Sequence, residues 1–251
     1  MSVSHTKAFQ IFSSGIRQLG QHIQLLDASL LLADRKTAGA NPPLPTLAEA
    51  LDFTTKRYPR LNIPNTHKER NRVIAYSRSK LHEQAIIDLY RLFSEYIRNL
   101  IVEFIHVNPS QLLETVARNK DNTMTFDQIL KLGDIDSIKE EMARIIFRRF
   151  ESERSTKELL KKILSYSGIT IDDEIITDAL LYLEIRHLII HNASKADSNF
   201  IVLDTSHKVK LNSNNKFMLT FSLSKSAIYS VGLLCEKVDT ELIKANLARV
   251  F

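Results

Sequence analysis

Proline placement constrains this chain more than any other feature. Five of its six prolines (Pro42, Pro43, Pro45, Pro59 and Pro64) fall between positions 42 and 64, and the sixth is Pro109. Proline lacks the N–H that a helix or strand ladder needs, so 42–64 reads as a connecting segment. It separates an N-terminal helix from the rest of the chain. Phe12, Ile16, Leu19, Ile23, Leu26 and Leu30 recur at alternating spacings of four and three and form one apolar seam. That seam packs on the main body or pairs with another chain, and Gly15 and Gly20 lower its intrinsic helix stability. Residues 1–65 are therefore assigned to the N-terminal helix and its Pro-rich connector, and 66–251 to a helical bundle domain.

The body reads as helical. A long amphipathic segment runs from about Lys68 to His106 and stops at Asn108–Pro109, because the residue before a proline is pushed out of helical geometry. A short helix is expected from the capping box Thr46–Glu49, and further helices near 110–118, 125–132 and 135–151. A second capping box, Ser155–Glu158, opens a helix that ends at Gly168. Asp172, Asp173 and Glu174 suit the positive end of the next helix, which continues to about Ile190. Beyond it, Phe200–Leu203 is a short apolar run. Val209 and Leu211, then Phe217, Leu219 and Phe221, alternate around the turn Asn212–Asn215, which reads as a small β-hairpin. A last helix covers about 224–247. The expected fold class is mainly all-α: a helical bundle with a small β-hairpin before its last long helix.

Charge is unevenly distributed. The net charge is +5 and the pI is near 9.2. Residues 56–80 hold eight basic residues, including Arg70, Arg72, Arg78 and Lys80, against the single acid Glu69, so this segment is +7 and the remainder −2. A second basic concentration begins with Arg144 and Arg148 and runs to Lys162. Such local excess suits a polyanion, and equally a solvated helix face. The single Cys235 excludes an internal disulfide and a cysteine metal cluster. The N-terminus lacks the apolar run of a secretory signal, and no stretch approaches the roughly 18 apolar residues of a membrane span. A soluble, cytoplasmic protein is the expectation. With six glycines, no Gly-x-x-x-x-Gly-Lys, no Gly-x-Gly-x-x-Gly and no Gly-x-Ser-x-Gly, nothing points to an ATPase, a kinase, a Rossmann dehydrogenase or an α/β-hydrolase.

One stretch concentrates polar chemistry at the end of an apolar helix: Tyr182-Leu-Glu-Ile-Arg186-His187-Leu-Ile-Ile-His191-Asn192. His187 and His191 are four apart and share a face. Arg186 and His191 are five apart, about 140° around an ideal helix, so they act together only if the helix relaxes or a second copy faces it. Arg186-His187-x-x-x-His191 resembles the R-(N/D/H)-x-x-x-H pattern of HEPN-domain proteins, most closely the RiboL-PSP type. There an Arg, a polar residue and a His close a helix, followed by Asn, a polar loop with Asp (here Asp197), an extended piece and a last helix. The segment around Leu81–Ile105 is similar to that family's first core helix. The resemblance covers roughly 70–250. Position 193 is Ala, unlike the subtype with a Tyr two after the His, which is the one paired with nucleotidyltransferase antitoxins. The resemblance implies a metal-independent endoribonuclease without a cofactor, acting as a toxin or phage-defence effector. It also implies a homodimer whose two motifs line one cleft, and an antitoxin or defence-system protein as a possible partner.

The residue types fit such chemistry. RNA cleaves without metal when its 2′-OH attacks the adjacent phosphate, leaving a 2′,3′-cyclic phosphate and a 5′-OH. Imidazoles serve the proton transfers near neutral pH, and a guanidinium clamps the phosphate. His191 is assigned as general acid/base and Arg186 as clamp. His187 orients the Arg or holds the phosphate, and Asn192 adds a hydrogen bond. Arg70, Arg72, Arg78, Lys80, Arg144 and Arg148 are the candidate RNA contacts. The alternative is a silent HEPN-type dimerisation module that binds RNA, nucleotide or a partner protein without cutting. A metal reading rests on Glu184-x-x-His187 and Glu103-x-x-His106, whose spacing matches di-iron bundles. Both lie near helix ends, and His187 with His191 lacks an evident third ligand. No metal site is assigned.

Overall fold

The computed structural model describes residues 5–39, 45–107, 124–151, 160–161, 164–165 and 167–249. Helix α1 (Lys7–Ala38) opens at Thr6, whose hydroxyl accepts from the Phe9 amide. After the four-residue α2 (Leu47–Ala50) and a single 3₁₀ turn at Pro59–Leu61, α3 (His67–Arg70) leads through a π turn, Asn71–Ala75, into α4 (Tyr76–Val107). Then follow α5 (Phe126–Leu132), α6 (Ile135–Glu151), α7 (Asp173–His191), α8 (Ser198–Leu203) and α9 (Phe221–Lys244). The chain is mainly all-α.

Helix α4 is the axis of the molecule. Its buried residues, from Ala85 and Leu89 through Phe93, Tyr96 and Ile97 to Phe104 and Ile105, form a broad stripe, and α1, α6, α7 and α9 all pack on it. The apolar seam of α1 turns inward over its first half: Phe12 and Ile23 are buried, and Phe9 and Phe12 meet the Tyr96 ring, whereas Leu26 is exposed and Asp27 is buried beside it. The N-terminal helix therefore belongs to the same core as α4, α7 and α9, and of the two uses open to its seam, packing on the body is the one observed. Helix α7 buries residues around almost its whole circumference, Ala179 to Tyr182 with Leu183, Ile185, Leu188 and Ile189. Such a helix has to lie between neighbours, and it is held by α4, α9 and α8.

The hairpin expected before the last helix does not form among the described residues. Phe200–Leu203 is helical within α8, because the Asp197 carboxylate accepts from the Phe200 amide and caps it. Downstream, Leu211 and Phe217 meet only in an isolated bridge. The Asn212 side chain accepts from the amides of Asn214 and Lys216 and tightens the turn. The alternation in the sequence reflects Val209 and Phe217 plugging the core from a loop, not the two faces of a strand. The expected helix near 110–118 and the Ser155 capping box lie outside the described residues. Among the described residues no helix is long and apolar enough to cross a membrane.

Candidate functional site

Helix α7 begins under the Asp172 cap and runs unbroken through His191. Its end is fixed by a tight turn. The amides of Asn192 and Ser194 both donate to the Leu188 carbonyl, and the Asn192 side-chain amide donates to the Lys195 carbonyl at 2.9 Å. Ala193 and Ser194 hold φ values of 50° and 61°, a left-handed pair that non-glycine residues adopt at a cost. The turn is stapled to the loop ahead of α9: Phe217 N donates to Ser194 O, Ala196 N to Asn215 O, and Lys195 bridges Lys216. This bracing holds the last turn of α7, where the histidines sit, in a defined position.

His187 and His191 are both exposed, and their ring centroids are 4.7 Å apart. Arg186 points elsewhere. Its guanidinium lies over the Tyr90 ring of α4, 4.6 Å from the centroid, and its Nε is buried without a hydrogen-bond partner. Because α7 does not unwind before His191, the structure brings the two imidazoles together but leaves Arg186 on another side of the helix. Asn192 serves the turn. Tyr90, which no spacing in the sequence marks as part of a site, is the residue that positions Arg186; only its place on α4, opposite α7, gives it that role. His187 also lines a cleft of about 560 Å³ between α7 and α8, together with Leu180, Glu184, Leu188, Asp197 and Phe200.

The candidate RNA contacts are mostly paired within the chain. Arg78 makes a two-pronged bond to the carboxylate of Asp27, at 2.9 and 3.3 Å. Asp27 is buried and also accepts from His82, so Arg78 is occupied by a structural network. Arg70 donates to the carbonyl and side chain of Asn65. Arg72 pairs with Glu69, Lys80 with Glu83 and Arg144 with Glu141, all at 2.6 Å. The cations of these three pairs are exposed, and such pairs contribute little stability and exchange partners readily. They remain available to phosphates in a way that Arg78 does not. The side chain of Arg148 lies outside the described residues. Lys80 and Tyr90 are ten residues apart on one helix, about 15 Å along its axis, a reach of a few nucleotides.

The Glu103-x-x-His106 pair diverges, whereas Glu184 and His187 line the same cleft. Glu103 accepts from the Ala8 amide at 2.7 Å, while His106 faces Asp136 at 3.7 Å. Among the described residues no three His, Cys, Asp or Glu side chains converge as a metal would need. Cys235 is buried, and burial pushes its thiol well above its ordinary range. Comparison with known protein families, with characterised proteins and with solved structures finds no match to this chain.

Proposed function

We propose that the chain is a HEPN-type, metal-independent endoribonuclease, acting as a toxin or defence effector under the control of a partner protein. One observation carries this reading: two exposed imidazoles, 4.7 Å apart, stand on a braced helix end within the Arg186–His191 motif. Exposed imidazoles can exchange protons with a substrate near neutral pH, which is what attack by the 2′-OH and departure of the 5′-oxygen require. His191 acts as general acid/base, and His187 holds the phosphate. A guanidinium neutralises the charge that builds on the pentacoordinate phosphorus. Since Arg186 lies against Tyr90 of its own chain, the clamp for one subunit's imidazoles comes from the Arg186 of a second copy in a two-fold dimer. Arg72, Lys80 and Arg144 steer the RNA, which makes binding salt-sensitive.

The stacking of Arg186 on Tyr90 also favours a second reading, a silent module that keeps the fold and binds RNA without cutting. An RNA cleavage assay in EDTA separates the two. The nuclease yields 2′,3′-cyclic phosphate ends, and both Arg186→Ala and His191→Ala abolish them. Cleavage that persists unchanged in both variants removes the assignment, and RNA binding without any cleavage by the parent leaves the silent module.

A further inference from the structure

We infer that the loop ahead of α3, from Phe53 to Arg60, is a docking platform for a single-stranded polynucleotide, separate from the imidazole pair. Phe53 and Tyr58 are 43% and 39% exposed, and their ring centroids lie 4.8 Å apart at an angle of 46°. One exposed ring on a surface needs no explanation, but two in contact on one loop leave apolar area in water that packing has not used. Arg57 holds its guanidinium over the Tyr58 ring, 5.4 Å from the centroid. From Phe53 to Lys68 the sequence carries four cations and no acid. The acids at either edge, Asp52 and Glu69, are taken by Lys36 and Arg72. Lys56, Arg57 and Arg60 are exposed, and among the described residues no carboxylate pairs with them.

The loop is held in shape by its neighbours. Helix α2 buries Leu47, Ala48 and Ala50. The Phe53 amide donates to the Ala48 carbonyl, and the amides of Arg57 and Tyr58 donate to Thr54. Pro59 opens the 3₁₀ turn that follows. The rings are therefore presented on a fixed frame, which lowers the ordering cost of binding. Rings and cations interleaved in this way match a strand whose bases are unpaired. Each base offers a flat face to Phe53, Tyr58 or the Arg57 plane, and the phosphates between bases meet Lys56 and Arg60. In a duplex those faces are covered by neighbouring pairs, so charge alone would bind it. A bilayer suits the stretch less, because its aliphatic residues Leu61 and Ile63 are half-buried and leave little to insert. None of this uses Arg186, His187 or His191, so the platform goes beyond the nuclease reading and stands without it. Where the chain cuts RNA, the platform is a second hold on the substrate.

The experiment is fluorescence anisotropy on the full-length protein with a labelled oligothymidylate of about ten nucleotides. This ligand has no 2′-OH, so binding is read without cleavage. An abasic strand of equal charge and a hairpin duplex are the comparisons. The expected result is oligothymidylate binding about tenfold more tightly than either. Phe53→Ala and Tyr58→Ala are each expected to weaken it about tenfold, whereas Tyr58→Phe, which keeps the ring, binds as the parent does. Lys56→Ser combined with Arg60→Ser is expected to flatten the slope of log affinity against log salt by about 1.4, the loss of two phosphate contacts. Should an alanine variant fail to fold, the abasic comparison on the parent decides. Equal affinity for the abasic strand or the duplex overturns the platform, as does oligothymidylate binding indifferent to both alanine variants. Ring-dependent binding to phosphatidylcholine–phosphatidylserine vesicles that exceeds oligonucleotide binding would overturn it in favour of a membrane surface.

Discussion

Glu103 presents one oxygen to the first turn of α1 and leaves the other, Oε2, buried without a hydrogen-bond partner. Burial raises its pKa above the usual carboxylate value, and the negative charge of the fully buried Asp239 adds to the rise. A native pKa above the unfolded one means that the folded state takes up a proton first. Its contribution to stability therefore grows as pH falls through that raised value toward about 4.5, and is a cost above it. Glu103→Gln keeps an oxygen for Ala8 and removes the charge. It is expected to be more stable than the parent at pH 8 by about 1 kcal/mol, with the difference shrinking at pH 5, as read from urea unfolding. His82 works with the opposite sign. It is 1% exposed, with Nε2 3.1 Å from Asp27 and Nδ1 3.1 Å from the Ser224 hydroxyl. Burial, helped by the charge of Arg78, depresses its pKa by more than Asp27 raises it. The unfolded chain then binds a proton below about pH 6.5 while the folded chain does not, so stability falls from there downward until the native value is passed. Burial also raises Asp27, but the bonds from Arg78 and His82 outweigh it and hold the carboxyl below its ordinary value, so the Asp27 contribution persists until pH drops below about 3.8. His82→Gln is expected to remove the loss in the window below pH 6.5 while lowering stability overall. A parent and variant with the same slope across that window would contradict the assignment.

At the scale of elements, the two glycines of α1 separate cleanly. A Cβ at Gly20 meets nothing within 4 Å, whereas one at Gly15 would sit 2.7 Å from a Leu92 methyl on α4. Gly20→Ala is expected to gain about 0.8 to 1 kcal/mol, the helix-propensity difference, as a shift in urea midpoint. Gly15→Ala gains less or loses, because Leu92 must swing aside. The sequence marks both residues only as helix weakeners; which one lets α1 approach α4 is visible only once the helices are docked. The same contrast runs through the fold. Helices α4, α6, α7 and α9 were legible because periodicity, caps and proline stops act within a few residues of each other. The segment around α8 was not, since an apolar run of four residues suits a strand or a helix, and the Asp197 cap decided between them. In the candidate site, His187 and His191 were legible as neighbours from their spacing. The stacking of Arg186 on Tyr90, the commitment of Arg78 to Asp27 and the cleft beside α8 depend on partners far away in the chain, which local pattern does not encode.

At the scale of the whole molecule, the question is how a guanidinium reaches a phosphate held at His191. Within one chain, α7 would have to unwind against the turn that Asn192 and Ser194 fasten to Leu188, and Arg186 would have to leave Tyr90. A second copy provides the group without either disruption. The exposed apolar residues at this end, Ile190 at 46%, Ile201 at 49% and Val202 at 75%, supply surface that association would cover. Light scattering is therefore expected to give a mass near twice 28.7 kDa. The arrangement has a sharper consequence for catalysis. If each site draws its Arg186 from one subunit and its His191 from the other, two inactive variants should restore each other. Arg186→Ala protein, unfolded and refolded together with His191→Ala protein, forms mixed dimers in about half of its pairings, and each of these carries one intact trans site. The mixture is expected to cut RNA measurably where neither parent variant does. Should it stay inactive although mixed dimers are isolated by differential tagging, the clamp and the base must belong to one chain. The last turn of α7 would then have to open before the chemistry begins.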